Sequence, residues 1–242
     1  MSTQKKDKIH AAIARACLIF AVTGSIAMLI YFVIYPVISR RSSSIAMLAA
    51  VTAYAQETSG LSQAEIDAHL HRAYQHNAEL AQLPYNSWLM LAQWAEVPYD
   101  YTDILNVAGA MARLEIERID VDLPVLHGTS PEAMMNGVGH LEGTAFPIGG
   151  YGTHSVLMTH SGKRTATLFN RLHELEYGDR FVIYVLDRRL VYRIDDIRVI
   201  YPHEIDYLRV VPGADLVTLI TCTPIHVNTH RLLVRGVRVA CN

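Results

Sequence analysis

Cysteine is scarce in this chain. Only Cys17, Cys222 and Cys241 occur among 242 residues. That is too few for a disulfide framework, so a packed core must hold the fold. Cys17 lies in an apolar run and reads as inert packing. Cys222 and Cys241 stand far downstream, and the sequence leaves their pairing open. Charge is scarce as well: 18% of residues carry it and the formal net charge is −2. That balance excludes the basic face of a nucleic-acid binder, so no nucleic-acid partner is expected, and there is no acidic tail. Internal repeats and low-complexity segments are absent. His226 and His230 have the spacing of a metal-binding pair, but they fall in a loop with no glutamate beside them. No metal and no cofactor is expected.

What the chain has in excess is apolar residues, 51% of the total, and the excess lies at one end. Residues 16–38 carry no charge, about the length that crosses a bilayer as a helix. Lys5, Lys6, Lys8 and Arg15 precede this run, and Arg40 and Arg41 follow it closely. The bias predicts a single-pass anchor in the cell membrane, with the N-terminus inside and the remainder on the extracellular face. A cleaved signal peptide is the competing reading, because Ala53-Tyr54-Ala55 has the small-x-small form of a cleavage site. The apolar run is too long for it, and a second apolar stretch (45–55) intervenes. No second span is expected toward Asn242.

Ser62-Gln63-Ala64-Glu65 has the form of a capping box. Ile66, Leu70, Tyr74 and Leu80 then recur at helical spacing, which predicts a surface helix over 62–81 ended by Pro84. A proline-, aromatic- and polar-rich connection follows to about Tyr101. From Met111 short runs of Val, Ile, Leu and Tyr alternate with Gly, Pro and Asp, the texture of a β-barrel or sandwich. "RFVIYVLDRRLVYRIDDIRVI" reads as two strands joined at 186–189, and residues 165–175 as one or two helical turns. The organisation expected is a cytoplasmic N-terminus (1–15), a transmembrane anchor (16–38), a helical extension with a lid-like connection (39–110) and a mostly β domain (111–242).

In "DLVTLITCTP", Leu216, Thr218, Ile220 and Cys222 point to one side of a strand. "TPIHVNTH" reads as a loop and "RLLVRGVRV" as the next strand, starting at Arg231. Antiparallel neighbours of that kind put Cys222 and Arg231 at the same end of a sheet. A partly exposed thiol beside a cation is where a thiolate becomes reactive; a buried structural cysteine is the competing reading. His140 and His154 lie in turn-rich segments and read as surface hydrogen-bonders, His230 as a loop support, and Cys241 as packing or a frayed end.

These motifs together resemble the sortase family, class C, the pilin-polymerising type. The likeness rests on "TLITCTP" and the Asn-Thr-His-Arg-Leu-Leu-Val-Arg-Gly run behind it. "DLPVLHGTS", "GVGHLEGTAFPIGG" and "VLMTHSG" stand upstream in the same order. It spans roughly 111–239. The resemblance implies a closed, mostly β barrel with short helices, an N-terminal helical lid and one transmembrane helix. It also implies a cysteine transpeptidase: Cys222 the nucleophile, His160 (in Thr159-His160-Ser161-Gly162) the acid and base, and Arg231 the stabiliser of the oxyanion, with Thr221 a candidate for substrate binding. The substrates implied are pilins or surface proteins with LPXTG-like sorting signals, cut between Thr and Gly and joined to a lysine amine or a cell-wall amine.

Two features depart from that pattern. The lid motif Asp-Pro-aromatic is matched by Leu83-Pro84-Tyr85, which lacks the aspartate that would pair with Arg231; Val97-Pro98-Tyr99 is a second candidate. The C-terminal span carried by many of the class has no counterpart in this sequence. Attachment of surface proteins to peptidoglycan is therefore the alternative activity, and a non-catalytic, membrane-tethered binding module the alternative class.

Overall fold

The computed structural model describes residues 3–82, 101–162 and 166–239. The chain begins as one long helix. α1 (Thr3–Leu29) passes through a single π-helical stretch (Ile30–Ile34) into α2 (Tyr35–Gly60). Pro36 falls at the start of α2. A proline cannot donate to the preceding turn, and the π stretch lies where that bond is missing. The described span from Ala12 is long and apolar enough to cross a membrane, and its most apolar window is wholly unburied.

The character of the helix changes past Arg41. Met47, Val51 and Tyr54, spaced one or two turns apart on one face, are buried. The Tyr54 hydroxyl donates to Met111 O (3.2 Å) and accepts from Leu186 N–H (2.9 Å). A chain cut after Ala55 would lose this contact, so the structure argues against the signal-peptide reading. α3 (Gln63–Gln82) follows, and its capping box is formed. Ser62 N–H donates to the Glu65 carboxylate (2.8 Å), and Glu65 N–H donates to Ser62 Oγ (3.4 Å). Ile66, Leu70, Ala73 and Asn77 form its buried face. Asn77 bonds both backbone groups of Phe146, at 2.8 and 3.3 Å.

The rest is a closed eight-stranded barrel. Its strands are β1 (Ala112–Ile116), β2 (Val121–His127), β3 (Val138–His140), β4 (Thr153–Met158), β5 (Arg180–Val185), β6 (Arg188–Ile200), β7 (Asp215–Thr223) and β8 (His230–Arg238). They close in the order β1-β2-β3-β4-β7-β8-β6-β5. α4 (Pro131–Asn136) carries the crossover between the parallel pair β2 and β3. β4 and β7 form the other parallel pair. The expected pair of strands is β5 and β6, with a turn at Leu186-Asp187. The expected helical turns are one 3-10 stretch (Phe169–Glu174).

Alternation sorts the strands into two faces. Leu157, Val217, Leu219, Leu232 and Val234 point into the barrel, with Leu114, Ile116, Phe181, Ile183 and Tyr192. The Phe181 and Tyr192 rings stack at 5.4 Å. They leave no room for a side chain at Gly236, where an added Cβ would meet the Phe181 ring at 2.6 Å. On the outer face Val156, Ile220 and Leu233 join Ile200 and Leu208 in a second, smaller cluster.

Tyr54→Phe keeps the ring and removes the hydroxyl, leaving Leu186 N–H unpaired in a buried site. The expected cost is about 1–3 kcal/mol of stability, read as a lower denaturant midpoint. An unchanged midpoint would show that the tether is not formed.

Candidate active site

The outer-face alternation brings Cys222 to the C-terminal end of β7, one position from the loop. Its cross-strand partner is Arg231 on β8. Directly opposed residues share a face, with Cβ atoms about 4.5–5.5 Å apart. The bulk of the cluster beneath them is apolar: Ile220 is paired with Leu233 one rung down. Cys222 is a free thiol of intermediate exposure, so the structure disfavours a sealed structural cysteine.

The β4 side supplies His160. The last paired rung of β4 and β7 is Met158 with Ile220, so His160 and Cys222 each stand two residues past it. The chains stay joined there. Thr159 N–H donates to Ile220 O (3.2 Å) and Thr221 Oγ1 to Thr159 O (2.8 Å). Ser161 Oγ donates to Cys222 O (2.5 Å). His160 O in turn accepts from Phe169 N–H (3.1 Å). His160, Cys222 and Arg231 thus lie at the same end of three adjacent strands, β4, β7 and β8.

Arg231 turns one guanidinium nitrogen back onto its own loop: Nη1 donates to Asn228 O (3.2 Å) and His230 O (3.1 Å). Among the described residues no carboxylate lies within 4.0 Å of it. Among the described residues the other donors of its planar fork engage no partner. The loop itself is compact, with Val227 and Asn228 N–H both bonded to Pro224 O. It packs on the segment after His160: an added Cβ at Gly162, φ +69°, would meet Ile225 Cγ2 at 2.5 Å.

Thr221 has a different place from the one expected of a substrate-binding residue. It is buried, and its hydroxyl is engaged by Thr159 O. His140 and His154 also need correction: neither is at the surface. His140 is fully buried, its Nδ1 accepting from Tyr101 O–H (2.8 Å) and its Nε2–H donating to Ala145 O (3.0 Å). His154 donates from Nδ1 to Arg209 O (2.8 Å) and accepts at Nε2 from Thr218 Oγ1 (2.7 Å). Burial, the largest cause, pulls His140 down to about 3 and His154 to about 4. His230 does support its loop: Thr229 Oγ1 lies 2.9 Å from its Nδ1, and its ring packs on Tyr201 at 4.5 Å. Ser161 was not among the residues that sequence reasoning assigned a role, and its partner is 61 positions away. The lid candidates Pro84, Tyr85 and Tyr99, and Cys241, lie outside the described residues.

The Sortase domain family model matches residues 114–239. The chain is similar to the solved structure of sortase C1 of GBS pilus island 1, at 38% identity and a TM-score of 0.73 over 81% of this chain and 93% of that one. Sortase C-1 from Actinomyces oris is 44% identical, with a TM-score of 0.66 over 73% and 99% of the two chains. Sortase A of Bacillus anthracis is 26% identical over 57% of this chain and 67% of that protein.

Neutral burial of two histidines sets a pH dependence. The native chain leaves both unprotonated well below 6.5, where the unfolded chain protonates them, so unfolding takes up protons. Their contribution is complete above 6.5 and is lost as pH falls toward 4 and then 3, at up to about 1.4 kcal/mol per pH unit for each. Chemical denaturation at pH 7.5 and at about pH 5 should show the drop, and His154→Gln should make the slope shallower. A slope untouched by that substitution would contradict the assignment.

Proposed function

The chain belongs to the sortase family, in the class C branch of its solved relatives, and we propose that it cuts an LPXTG-like sorting signal between Thr and Gly and joins the Thr carbonyl to a pilin lysine. Cysteine transpeptidase chemistry comes with the family. The specific reading rests on one observation above all: Cys222 stands opposite Arg231 on adjacent strands, with the segment holding His160 bonded to the Cys222 carbonyl.

In this reading the Cys222 thiolate attacks the threonine carbonyl carbon. Negative charge moves to the carbonyl oxygen, where the donors of Arg231 not held by the loop carbonyls stabilise it. His160 gives a proton to the glycine nitrogen as the C–N bond breaks, leaving a thioester on Cys222. A lysine amine then attacks the thioester, His160 takes up its proton, and the thiolate leaves. A thioester keeps enough reactivity for aminolysis, so the product is an isopeptide bond and the enzyme returns unchanged.

Residues 16–38 are assigned as the membrane anchor, with 1–15 inside, 39–110 as the helical extension and 111–242 as the catalytic barrel on the extracellular face. Pro84 and Tyr85 are retained as lid residues on the motif alone. Without the aspartate, closure there rests on apolar contact and carries little salt dependence.

Mass spectrometry of the enzyme with a sorting-signal peptide tests the reaction. A thioester adduct is expected on the wild type and none on Cys222→Ala; turnover by Cys222→Ala would refute the mechanism. Arg231→Lys keeps the charge but loses the planar fork, and turnover should fall about 100-fold or more. Near-normal rates with lysine would return Arg231 to a structural role. Offering a pilin-lysine peptide and a cell-wall amine in competition decides the acceptor, and preference for the wall amine would replace pilus polymerisation by surface anchoring.

A further inference from the structure

We propose that Ser161 is a positioning residue, setting His160 against Cys222 through its bond to the Cys222 carbonyl; this rests on the transpeptidase reading above. β4 and β7 pair in parallel from Thr153 with Asp215 to Met158 with Ile220. One further backbone bond, Thr159 N–H to Ile220 O, ends that ladder. Two side-chain hydroxyls then carry it on: Thr221 Oγ1 to Thr159 O, and Ser161 Oγ to Cys222 O. His160 therefore sits between two anchored neighbours. On its far side Thr159 Oγ1 is tied to Met134 O of α4 at 2.7 Å.

The bond at Ser161 differs from the others in where it ends. Thr221 and Thr159 are buried and tie framework to framework. Ser161 is half-buried and reaches the backbone of the nucleophile itself. The very next residue, Gly162, has φ +69° and lies under Ile225 and His226, so the chain turns away immediately. The Ser161 bond thus holds the His160 segment against β7 at the residue just before that turn. Proton transfer needs heavy atoms within about 2.6–3.2 Å, and a displacement of about 1 Å costs on the order of 100-fold in rate. A part-exposed hydroxyl contributes little to global stability. Its loss should therefore register in catalysis first.

The experiment uses the full chain in detergent and compares wild type, Ser161→Ala, Ser161→Thr and His160→Ala. Single-turnover acylation by a sorting-signal peptide is followed against pH, along with alkylation of Cys222 by iodoacetamide and thermal melting. Ser161→Ala should lower kcat for acylation about 10- to 100-fold with KM held within about twofold, as expected of a residue that acts on the reacting geometry rather than on substrate binding. Its pH profiles, for acylation and alkylation alike, should move toward those of His160→Ala. Ser161→Thr, which keeps the hydroxyl, should recover most of the rate, and all variants should melt within a few degrees of each other. Wild-type rates and pH profiles in Ser161→Ala would overturn the proposal, as would a loss that tracks a large drop in melting and is not recovered by threonine. A wild type that forms no acyl-enzyme would instead sink the transpeptidase reading, and the alkylation profiles would still decide the role of Ser161.

Discussion

Two neighbouring strands that run the same way release their chains at the same end, and the whole site depends on that constraint. β4 and β7 are such a pair. Because a parallel pair cannot be joined by a tight turn, the chain between them makes a long excursion through the 3-10 stretch, β5 and β6. The excursion closes the barrel on the far side and returns β7 beside β4. His160 and Cys222 then emerge together although they are distant in sequence. The antiparallel return of β8 adds the third member, since a short loop after β7 must bring Arg231 back opposite Cys222. One parallel pair and one hairpin are enough to assemble the three residues, and the rest of the barrel holds those strands in register.

That division explains what could be read from the sequence. The β7–β8 hairpin is local, and its alternation of Leu216, Thr218, Ile220 and Cys222 was visible, as was the restart near Arg231. The capping box at Ser62 was visible for the same reason: its partners lie within four residues. Contacts across the parallel pair left no local trace. His140 and His154 looked like turn residues because their partners, Tyr101 for one and Thr218 for the other, come from distant segments. Ser161 was present in the quoted motif, but only the folded chain shows that its hydroxyl reaches the Cys222 carbonyl. β3, three residues long, carries too short a pattern to be distinguished from a turn.

The N-terminal helix illustrates a boundary that composition blurs. Residues 16–38 and 45–55 are both apolar, yet they do opposite things. The first run is apolar on every face and exposed in the protein, as a bilayer requires. The second presents Met47, Val51 and Tyr54 to the barrel and leaves its other face open. No flexible linker separates them, since helix is continuous from α1 through the π stretch to Gly60. The helical rise from Ile38 to Tyr54, at about 1.5 Å per residue step, is about 24 Å. Under the proposed anchoring of residues 16–38 in the bilayer, the barrel would be held from the membrane by a helical rod whose far end is bonded at Met111 and Leu186. Height and orientation of the catalytic end then follow from helix geometry rather than from a tether's wandering.

The same packing narrows the choice of proton carrier. A general acid and base must have a nitrogen free to reach the reacting atoms and a protonation equilibrium accessible near neutrality. His140 and His154 fail both conditions, because each has both nitrogens engaged inside the fold and burial holds each neutral. His230 lies on β8, next to Arg231, with its ring packed on Tyr201. His160 is on the opposite flank of Cys222, on the β4 exit. In the proposed reaction, sulfur between a cation on one side and an imidazole on the other would separate oxyanion stabilisation from amine protonation. The leaving glycine and the incoming lysine would, in that reaction, share the His160 side. Under the proposed reaction, Ser161 and the β7–β8 loop residues packed on Gly162 would border the acceptor's side, and that surface is where pilin lysine and cell-wall amine would be told apart.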